Sequence, residues 1–327
     1  MKSRNLYFDY LRAIAIMMVV GIHCYNSEYQ SDLYLFIRNT LNCAVPLFLA
    51  ISGFFIGKKE LNSCNKFFNF LHIQVPRVYI PMLIWSLPFV SFNLRHGYEI
   101  LPTFLDFFLG GLGVFYFITL IIQYYLLLPL MTKFIHRFGM GGVLLGFLVS
   151  ELSIAFMIYL RTVCDMDIPL LLFAGLFPVW IVFYMMGIYL GRLPERNYSP
   201  IIPLLIIIAG LVLSQFEASY LFRHYETGFG IKPTSFLYAF GVILFLFSSR
   251  VERRTMRILG QSNRFLTYVG NVSFGIYLIH LHFVGRLAQK FSSDWLMRWL
   301  IAMAATIIFI QLLLWVVPQK YQKYLGI

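Results

Sequence analysis

The chain has 327 residues, of which 60% are hydrophobic and only 12% are charged. Because soluble globular proteins carry about 25% charged residues, the composition excludes an ordinary soluble domain and indicates a polytopic membrane protein. The net charge of +12 does not predict a nucleic-acid partner, since basic residues of membrane proteins concentrate in cytoplasmic loops beside anionic lipids. The four cysteines show no CxxC spacing, which argues against a zinc site or a disulfide framework.

The hydropathy pattern predicts an all-α fold with about ten transmembrane helices. The first apolar run lacks a small-residue cleavage site and contains an arginine, so we predict a retained helix rather than a signal peptide. In chain order the predicted spans lie at about 8–25, 35–57, 76–94, 104–130, 141–160, 168–191, 200–216, 233–249, 265–287 and 295–317.

The distribution of basic residues predicts the orientation of these spans. About two thirds of the 26 lysine and arginine residues lie in the N-terminal segment and the alternate loops, with the densest run between Arg250 and Arg264. By the positive-inside rule, both termini are cytoplasmic and the protein is a multi-pass protein of the inner or plasma membrane. The arginine run is interpreted as a topology signal rather than a ligand site.

The first span carries two ionisable side chains, Arg12 and His23. Eleven residues separate them, which places both on one face of a helix about 16 Å apart along its axis. Since ionisable groups inside a membrane face a protein interior or a watery cavity, we expect both side chains to face one passage. The alternative is that each side chain reaches the nearest membrane interface.

Other spans contain polar groups at similar depths. Span four carries Tyr116, Thr119 and Gln123 on one face, and span nine carries Tyr277 and His280 on one face. His280 is predicted to lie near the outer surface, as His23 is.

Three carboxylates add to these polar groups. Glu151 is predicted near mid-membrane, and Glu217 and Glu226 at the outer side. In span two, Pro46 and Gly53 allow a kink and a close approach between helix backbones.

Three segments resemble the acyltransferase-3 family of integral membrane O-acyltransferases. These are Asp-Tyr-Leu-Arg12 with His23, Pro-Leu-Phe-Leu-Ala-Ile-Ser52-Gly53-Phe, and Ser273-Phe-Gly-Ile-Tyr277-Leu-Ile-His280. Arg77 stands alone where the family often has paired basic residues, and Val114-Phe-Tyr-Phe117 replaces a Leu-Trp-Phe motif. The resemblance covers nearly the whole chain and implies a single membrane acyltransferase domain over residues 1–327.

The resemblance implies transfer of an acyl group, commonly acetyl, from cytoplasmic acyl-CoA to a sugar hydroxyl on the outer side. It makes Arg12 and His23 the functional pair and involves no metal. The expected partners are membrane lipids and a glycan or lipid-linked sugar acceptor of the cell envelope. The acyl group, the acceptor and the oligomeric state stay open.

The chemistry of a thioester suits these residue types. Histidine accepts a hydroxyl proton near neutral pH, so His23 is predicted to be the general base or a transient carrier of the acyl group. The guanidinium of Arg12 is predicted to bind the CoA arm. Arg77, Lys58 and Lys59 are predicted to meet the CoA phosphates or, alternatively, to anchor the topology.

The remaining candidate residues are predicted to contact the acceptor. His280 and Tyr277 shape the acceptor site or pack within the bundle, and Glu151 contributes as a neutral or paired carboxylate. Tyr116, Gln123 and Glu217 are further candidates for hydrogen bonds to sugar hydroxyls, although exposed loop carboxylates are common.

Two other classes of function compete with an enzyme. A transporter or flippase of a lipid-linked glycan precursor would use Arg12, Glu151 and His23 as a proton or substrate path. Transporters often contain internal repeats with matching broken helices, which this sequence lacks. A receptor or scaffold is less consistent with polar residues inside the membrane, because such residues are costly there.

Overall fold

A computed structural model describes residues 5–25, 32–59, 63–225, 227, 230–260 and 263–327, with residue 286 described by its backbone only. Glu226, one of the predicted outer carboxylates, lies outside the described residues. Within the described ranges all regular structure is helical. The helices of the first half are α1 (Leu6–Cys24), α2 (Asp32–Leu41), α3 (Ala44–Ile56), α4 (Cys64–Arg95), α5 (Ile100–Leu109), α6 (Tyr116–Phe138) and α7 (Met140–Thr162). They are followed by α8 (Leu170–Ala174), α9 (Phe177–Arg192), α10 (Ile201–Tyr225), α11 (Pro233–Phe247), α12 (Ser249–Leu259), α13 (Arg264–Asn271), α14 (Ser273–Phe283), α15 (Gln289–Phe291), α16 (Trp295–Val316) and α17 (Gln319–Leu325), with one π-helical turn at Val284–Ala288.

Eight helical segments of the described chain are long and apolar enough to cross a membrane, which confirms the prediction of an all-α polytopic protein. The bent pair α11 and α12 makes a ninth candidate span. The eight are Leu6–Cys24, Asp32–Ile56, Cys64–Arg95, Tyr116–Phe138, Met140–Thr162, Leu170–Arg192, Ile201–Tyr225 and Trp295–Val316.

Four predicted spans contain a break in the helix: those at 35–57 and 168–191 still form one candidate span each, whereas those at 104–130 and 265–287 do not. The span predicted at 104–130 ends as α5 and resumes as α6, because Gly110 and Gly113 adopt left-handed backbone angles with φ of 75° and 60°. The span predicted at 265–287 is divided at Val272 into α13 and α14, which are each too short to cross a bilayer alone. Apolar composition continues through these two breaks, so hydropathy alone did not reveal them.

The arginine run predicted as a loop forms helix α12. This helix is bent by 68° from α11, and none of its residues is buried. Arg250, Arg253, Arg254 and Arg257 lie on it. An exposed basic amphipathic helix at this angle is typical of a helix that lies along the membrane surface and contacts anionic headgroups.

Helices α3 and α9 cross at backbone contact. A Cβ atom at Gly53 would lie 2.3 Å from the carbonyl oxygen of Tyr184, and one at Gly187 would lie 2.2 Å from that of Ala50. Such a separation excludes any side chain at either position. The predicted close approach at Gly53 is therefore confirmed, and it follows the small-residue packing of membrane helices.

Helix α1 lies inside the bundle, against α3, α13, α14 and α16. The indole nitrogens of Trp295 and Trp299 on α16 donate hydrogen bonds to the carbonyls of Gly21 and Met17, at 2.9 and 2.8 Å. On another side, α13 passes so close that a Cβ at Gly270 would lie 2.1 Å from the carbonyl oxygen of Asp9. The enclosure keeps the polar residues of α1 away from lipid.

Arg196, between α9 and α10, connects several helix ends on the side of the bundle where the basic residues lie. Its guanidinium binds the carboxylate of Glu252 at 2.7 Å, donates to the carbonyl of Phe247 and lies 4.9 Å from the ring centre of Phe54. Asn5 at the start of α1 also donates to Glu252. These contacts place the first turn of α1, the end of α3 and α12 on the same side of the molecule.

We predict that Gly187→Ala lowers stability by about 1 to 3 kcal/mol, because the added methyl group overlaps the backbone of α3. The matched control is Gly141→Ala on α7, where no atom lies within 4 Å of the added methyl group. Apparent melting temperatures in detergent should fall for Gly187→Ala and hold or rise for Gly141→Ala. Equal melting temperatures for the two variants would contradict the close crossing of α3 and α9.

Candidate functional site

A cavity of about 520 Å³ surrounds Arg12. It lies among α1, α3, α4, α6 and the break between α13 and α14. Its lining residues are Asp9, Arg12, Phe48, Ile51, Ser52, Phe55, Ile56, Lys59, Gln74, Arg77, Val78, Phe117, Ile118, Ile121, Tyr125, Gly270, Asn271, Ser273, Phe274 and Tyr277. Several of these belong to the three segments on which the family resemblance was based.

Arg12 is held by Asp9, one turn earlier on α1. The guanidinium Nη1 donates to the Asp9 carboxylate at 2.8 Å, and the guanidinium carbon lies 5.1 Å from the ring centre of Phe55. The Asp9 side chain is only 4% exposed, whereas that of Arg12 is 31% exposed. The buried carboxylate thus offsets the positive charge and orients it, while the guanidinium stays accessible from the cavity.

The basic residues predicted to meet CoA phosphates lie on the same side as Arg12. Exposed Arg77 and Lys59 line this cavity, and the Lys59 ammonium lies 5.1 Å from the ring centre of Phe70. Lys58 is exposed nearby, with its ammonium 4.0 Å from the ring centre of Phe54, and does not line the cavity. Lys59 and Arg77 therefore line the same cavity as Arg12, and Lys58 lies outside it.

A second cavity, of about 310 Å³, lies around His23. It lies among α1, α2, α3, α6, α7, α8, α9 and α10. Its lining residues are Val19, Ile22, His23, Arg38, Asn42, Val45, Tyr116, Ile158, Arg161, Thr162, Leu170, Phe173, Ala174, Trp180, Leu221, Thr227, Gly230 and Ile231. Tyr116, predicted from the sequence as an acceptor contact, lies in this cavity with His23.

Arg38 is one of the two arginines that line the His23 cavity, the other being Arg161. The Nη1 of Arg38 donates to the side-chain oxygen of Asn42 at 2.5 Å, and the Asn42 amide donates in turn to the carbonyl of Gly230. These bonds orient the guanidinium beside His23 and Tyr116, where a developing negative charge on a reacting oxygen would be stabilised.

A buried lysine directly follows Ile231, a lining residue of this cavity. Lys232 is fully buried, and its ammonium donates to the side-chain oxygen of Asn39 at 2.8 Å. The Asn39 amide donates to Gln215 on α10. Burial lowers the pKa of Lys232 to about 7, and the nearby Glu217 carboxylate opposes this shift only in part.

His280 lies beside His23, with the two ring centres 5.3 Å apart. It is completely buried, and its Nδ1 lies 3.0 and 2.8 Å from the carbonyl oxygens of Ile276 and Tyr277. Because a carbonyl can only accept, Nδ1 carries the proton and Nε2 is left with a lone pair. Within the described chain, that Nε2 has no hydrogen-bond partner. A bare acceptor nitrogen in a buried position is costly and points to a functional constraint.

The two cavities share no lining residue, so the single passage expected from the sequence is divided in this structure. Helix α6 forms part of the partition, since its consecutive residues Tyr116 and Phe117 line different cavities. Tyr277 stands in the partition, with its ring 5.6 Å from that of Phe117 and 6.3 Å from that of His280. Its hydroxyl donates to the carbonyl of Val114 at 2.5 Å.

Four of the predicted acceptor residues, His280, Gln123, Glu151 and Glu217, line neither cavity. The amide of Gln123 donates to the carbonyl of Gly175 and accepts from the backbone N–H of Phe177. It therefore satisfies backbone groups on both sides of the break between α8 and α9. Glu217 accepts hydrogen bonds from the backbone and hydroxyl of Thr234 at the start of α11. Glu151 lies half-buried on α7 and near Glu217.

Two residues of the site were not singled out from the sequence. Asp9 lies three residues before Arg12, a helical spacing that predicts an ion pair. Arg38 is a basic residue on the predicted outer side, against the general charge distribution. The sequence thus contained a signal for each residue, the helical spacing for Asp9 and the unusual charge for Arg38. Among the described residues, no cluster of three histidine, cysteine or acidic side chains is arranged to hold a metal ion.

Comparisons with known proteins identify the family of the chain. The model of a family described as an acyltransferase domain matches residues 5–315. Among curated proteins, the chain is similar to a serine/alanine racemase of Enterococcus gallinarum, with 32% identity over 109 residues. That match covers 31% of this chain and 15% of the racemase, so the chain matches only a small part of that relative. No solved structure gave a significant match. Because the model of this acyltransferase domain spans nearly the whole chain, the protein belongs to the acyltransferase-3 family.

Proposed function

We propose that the protein moves a short acyl group, acetyl in the simplest case, from cytoplasmic acyl-CoA to a sugar hydroxyl of a cell-envelope or exported glycan. One observation carries this proposal: Arg12 and His23 project from one enclosed helix into two cavities that lie one above the other and are separated by a partition. Such an arrangement suits a donor and an acceptor that approach from opposite sides of a membrane.

The Arg12 cavity suits the donor. Acyl-CoA is polyanionic, and Arg12, Lys59 and Arg77 offer it a cationic lining on the side that the positive-inside rule assigns to the cytoplasm. The fixed guanidinium of Arg12 would bind an oxygen of the pantetheine arm or of the thioester. Its ion pair with Asp9 holds it in position before the donor arrives, which lowers the entropic cost of binding.

The His23 cavity suits the acceptor and the chemical step. His23 would remove the proton from a sugar hydroxyl while the hydroxyl oxygen attacks the thioester carbonyl. The carbon–sulfur bond then breaks, the CoA sulfur takes the proton from His23 and leaves as the thiol, and the ester remains on the sugar. Arg38 would stabilise the negative charge that develops on the thioester oxygen.

The partition must open for this transfer to occur. The donor would reach His23 by displacing Tyr277, whose hydroxyl bond to Val114 closes the narrowest point. The acyl group is thus expected to cross the partition while the CoA nucleotide stays on the basic side.

His280 would act as a positioning residue for His23. An N–H of His23 that donates to the bare Nε2 of His280 would leave the other His23 nitrogen as the base, and it would stabilise the cation formed after proton transfer.

We predict that His23→Ala lowers acyl transfer at least about 100-fold while acetyl-CoA binding persists. The assay is transfer of radiolabelled acetyl from acetyl-CoA to a crude envelope glycan by purified protein. His72→Ala, an exposed histidine on α4, is the matched control and should retain full activity. Near-wild-type transfer by His23→Ala would reject the role, and acid-quenched mass spectrometry of the wild type would reveal an acyl-histidine if the covalent route operates.

Arg12→Lys is expected to weaken acetyl-CoA binding by about ten- to a hundredfold, because a charged, fork-shaped donor is lost. Equilibrium binding of acetyl-CoA measures this effect. The control Arg254→Lys on the exposed helix α12 should bind as the wild type does. Unchanged acetyl-CoA affinity in Arg12→Lys would contradict the proposal that the donor binds in this cavity.

A matched pair of variants tests His280. Gln places an acceptor oxygen near the position of Nε2, whereas Asn does not. His280→Asn should lower kcat by about tenfold at unchanged acetyl-CoA affinity, the size of one lost hydrogen bond, and His280→Gln should recover most of kcat. If both variants lose activity equally, or only KM changes, His280 has a packing role.

A further inference from the structure

A third cavity, of about 420 Å³, lies on the same side of the molecule as Arg12. It is formed where α4 begins and where α6 and α9 end. Its lining residues are Ser63, Cys64, Phe67, Pro129, Thr132, Lys133, His136 and Arg192. Three of them are basic, and no carboxylate among the described residues lines it.

The three basic side chains have no acidic partner within the described chain. Lys133 and His136 form no hydrogen bond or ion pair with described residues. Arg192 donates to the backbone carbonyl of Thr132 at 3.1 Å, which directs its guanidinium along the cavity wall. A cavity with uncompensated positive charge is suited to an anion.

Ordinary helix stabilisation accounts for only part of this arrangement. Basic residues in the last turn of a helix offset its dipole, and His136, Arg137 and Arg192 occupy such positions. Arg137 does not line the cavity and lies 5.3 Å from the ring centre of Phe138. Lys133 precedes the last turn of α6 and yet faces the cavity. The N-terminus of α4, capped by Ser63, adds further positive potential.

The third cavity and the Arg12 cavity lie along the same groove between α4 and α6. On α4 the lining residues continue from Cys64 and Phe67 to Gln74, and on α6 from Lys133 to Ile121. On α4, Phe67 of the third cavity and Gln74 of the Arg12 cavity are seven residues apart, and on α6 the same spacing separates Thr132 from Tyr125, so each pair lies on one helix face. Lys133 and Ile121 are about 18 Å apart along the axis of α6.

We propose that this cavity binds a phosphate ester. On the basis of the proposed function, that ester is the ribose phosphate of the acyl-CoA donor. CoA carries its ribose phosphate at the far end of a long pantetheine arm, so phosphate and thioester must occupy two separated places. The groove offers a place for each group. Lys133, His136 and Arg192 lie at the end suited to the phosphate, and Arg12 lies at the end suited to the thioester. A phosphate headgroup of an anionic lipid has the same chemistry.

The test compares the affinities of CoA and 3′-dephospho-CoA for protein in phosphatidylcholine nanodiscs. The wild type should bind CoA about tenfold more tightly, because phosphate forms charge-assisted hydrogen bonds with lysine and arginine. In Lys133→Gln and Arg192→Gln the ratio should fall to near one, while affinity for 3′-dephospho-CoA is retained and shows that the variants are folded. Arg137→Gln, on the same helix but outside the cavity, is the control and should keep the ratio.

A second part of the experiment tests whether the bound phosphate belongs to CoA or to a lipid. If the ratio is insensitive to Lys133 and Arg192 but both variants lose phosphatidic acid in native mass spectrometry, the cavity binds a lipid phosphate. If neither ligand responds to these variants, the proposal is overturned. Because both arms measure binding alone, a wild type that binds CoA as described but transfers no acyl group would refute the proposed function and leave this site intact.

Discussion

The structure depends on the need to keep a guanidinium and an imidazole of one membrane-spanning helix out of lipid. A charged group in the hydrocarbon core costs several kcal/mol, so helix α1 can be stable only inside other helices. The helices α3, α13, α14 and α16 enclose it, and the α16 tryptophans add hydrogen bonds to its backbone. Glycines permit this enclosure, because Gly270 lets α13 approach Asp9 and Gly53 lets α3 contact α9.

The breaks in the helices generate the polar surfaces that unbroken spans would lack. Backbone groups at a break need partners, and Gln123 and Tyr277 supply them at Gly175 and Val114. The break at Val272 places α13 against the Arg12 end of α1 and α14 against the His23 end. The catalytic proposal thus rests on irregular backbone that is buried in protein, the one setting in which a membrane tolerates it.

Much of this arrangement could be predicted from the sequence. Arg12 and His23 were selected because ionisable residues in an apolar run have few structural explanations, and Gly53 because a small residue permits backbone contact. The helix breaks were missed because hydropathy does not register the left-handed angles at Gly110 and Gly113. The structural roles of Gln123 and Glu217 were also not predicted. A polar residue that hydrogen-bonds to backbone groups at a helix end has the same sequence pattern as one that contacts substrate.

The central claim is that the acyl group passes from the Arg12 cavity to His23 through the partition at Tyr277. The most direct measurement is an experimental structure of the protein with a thioether analogue of acetyl-CoA, which cannot be cleaved. The account predicts that the acetyl carbon lies beside the His23 imidazole, with Tyr277 displaced from Val114 and the nucleotide on the basic side. An analogue whose acetyl end remains beneath an intact partition, or whose nucleotide lies on the side of His23, would contradict it.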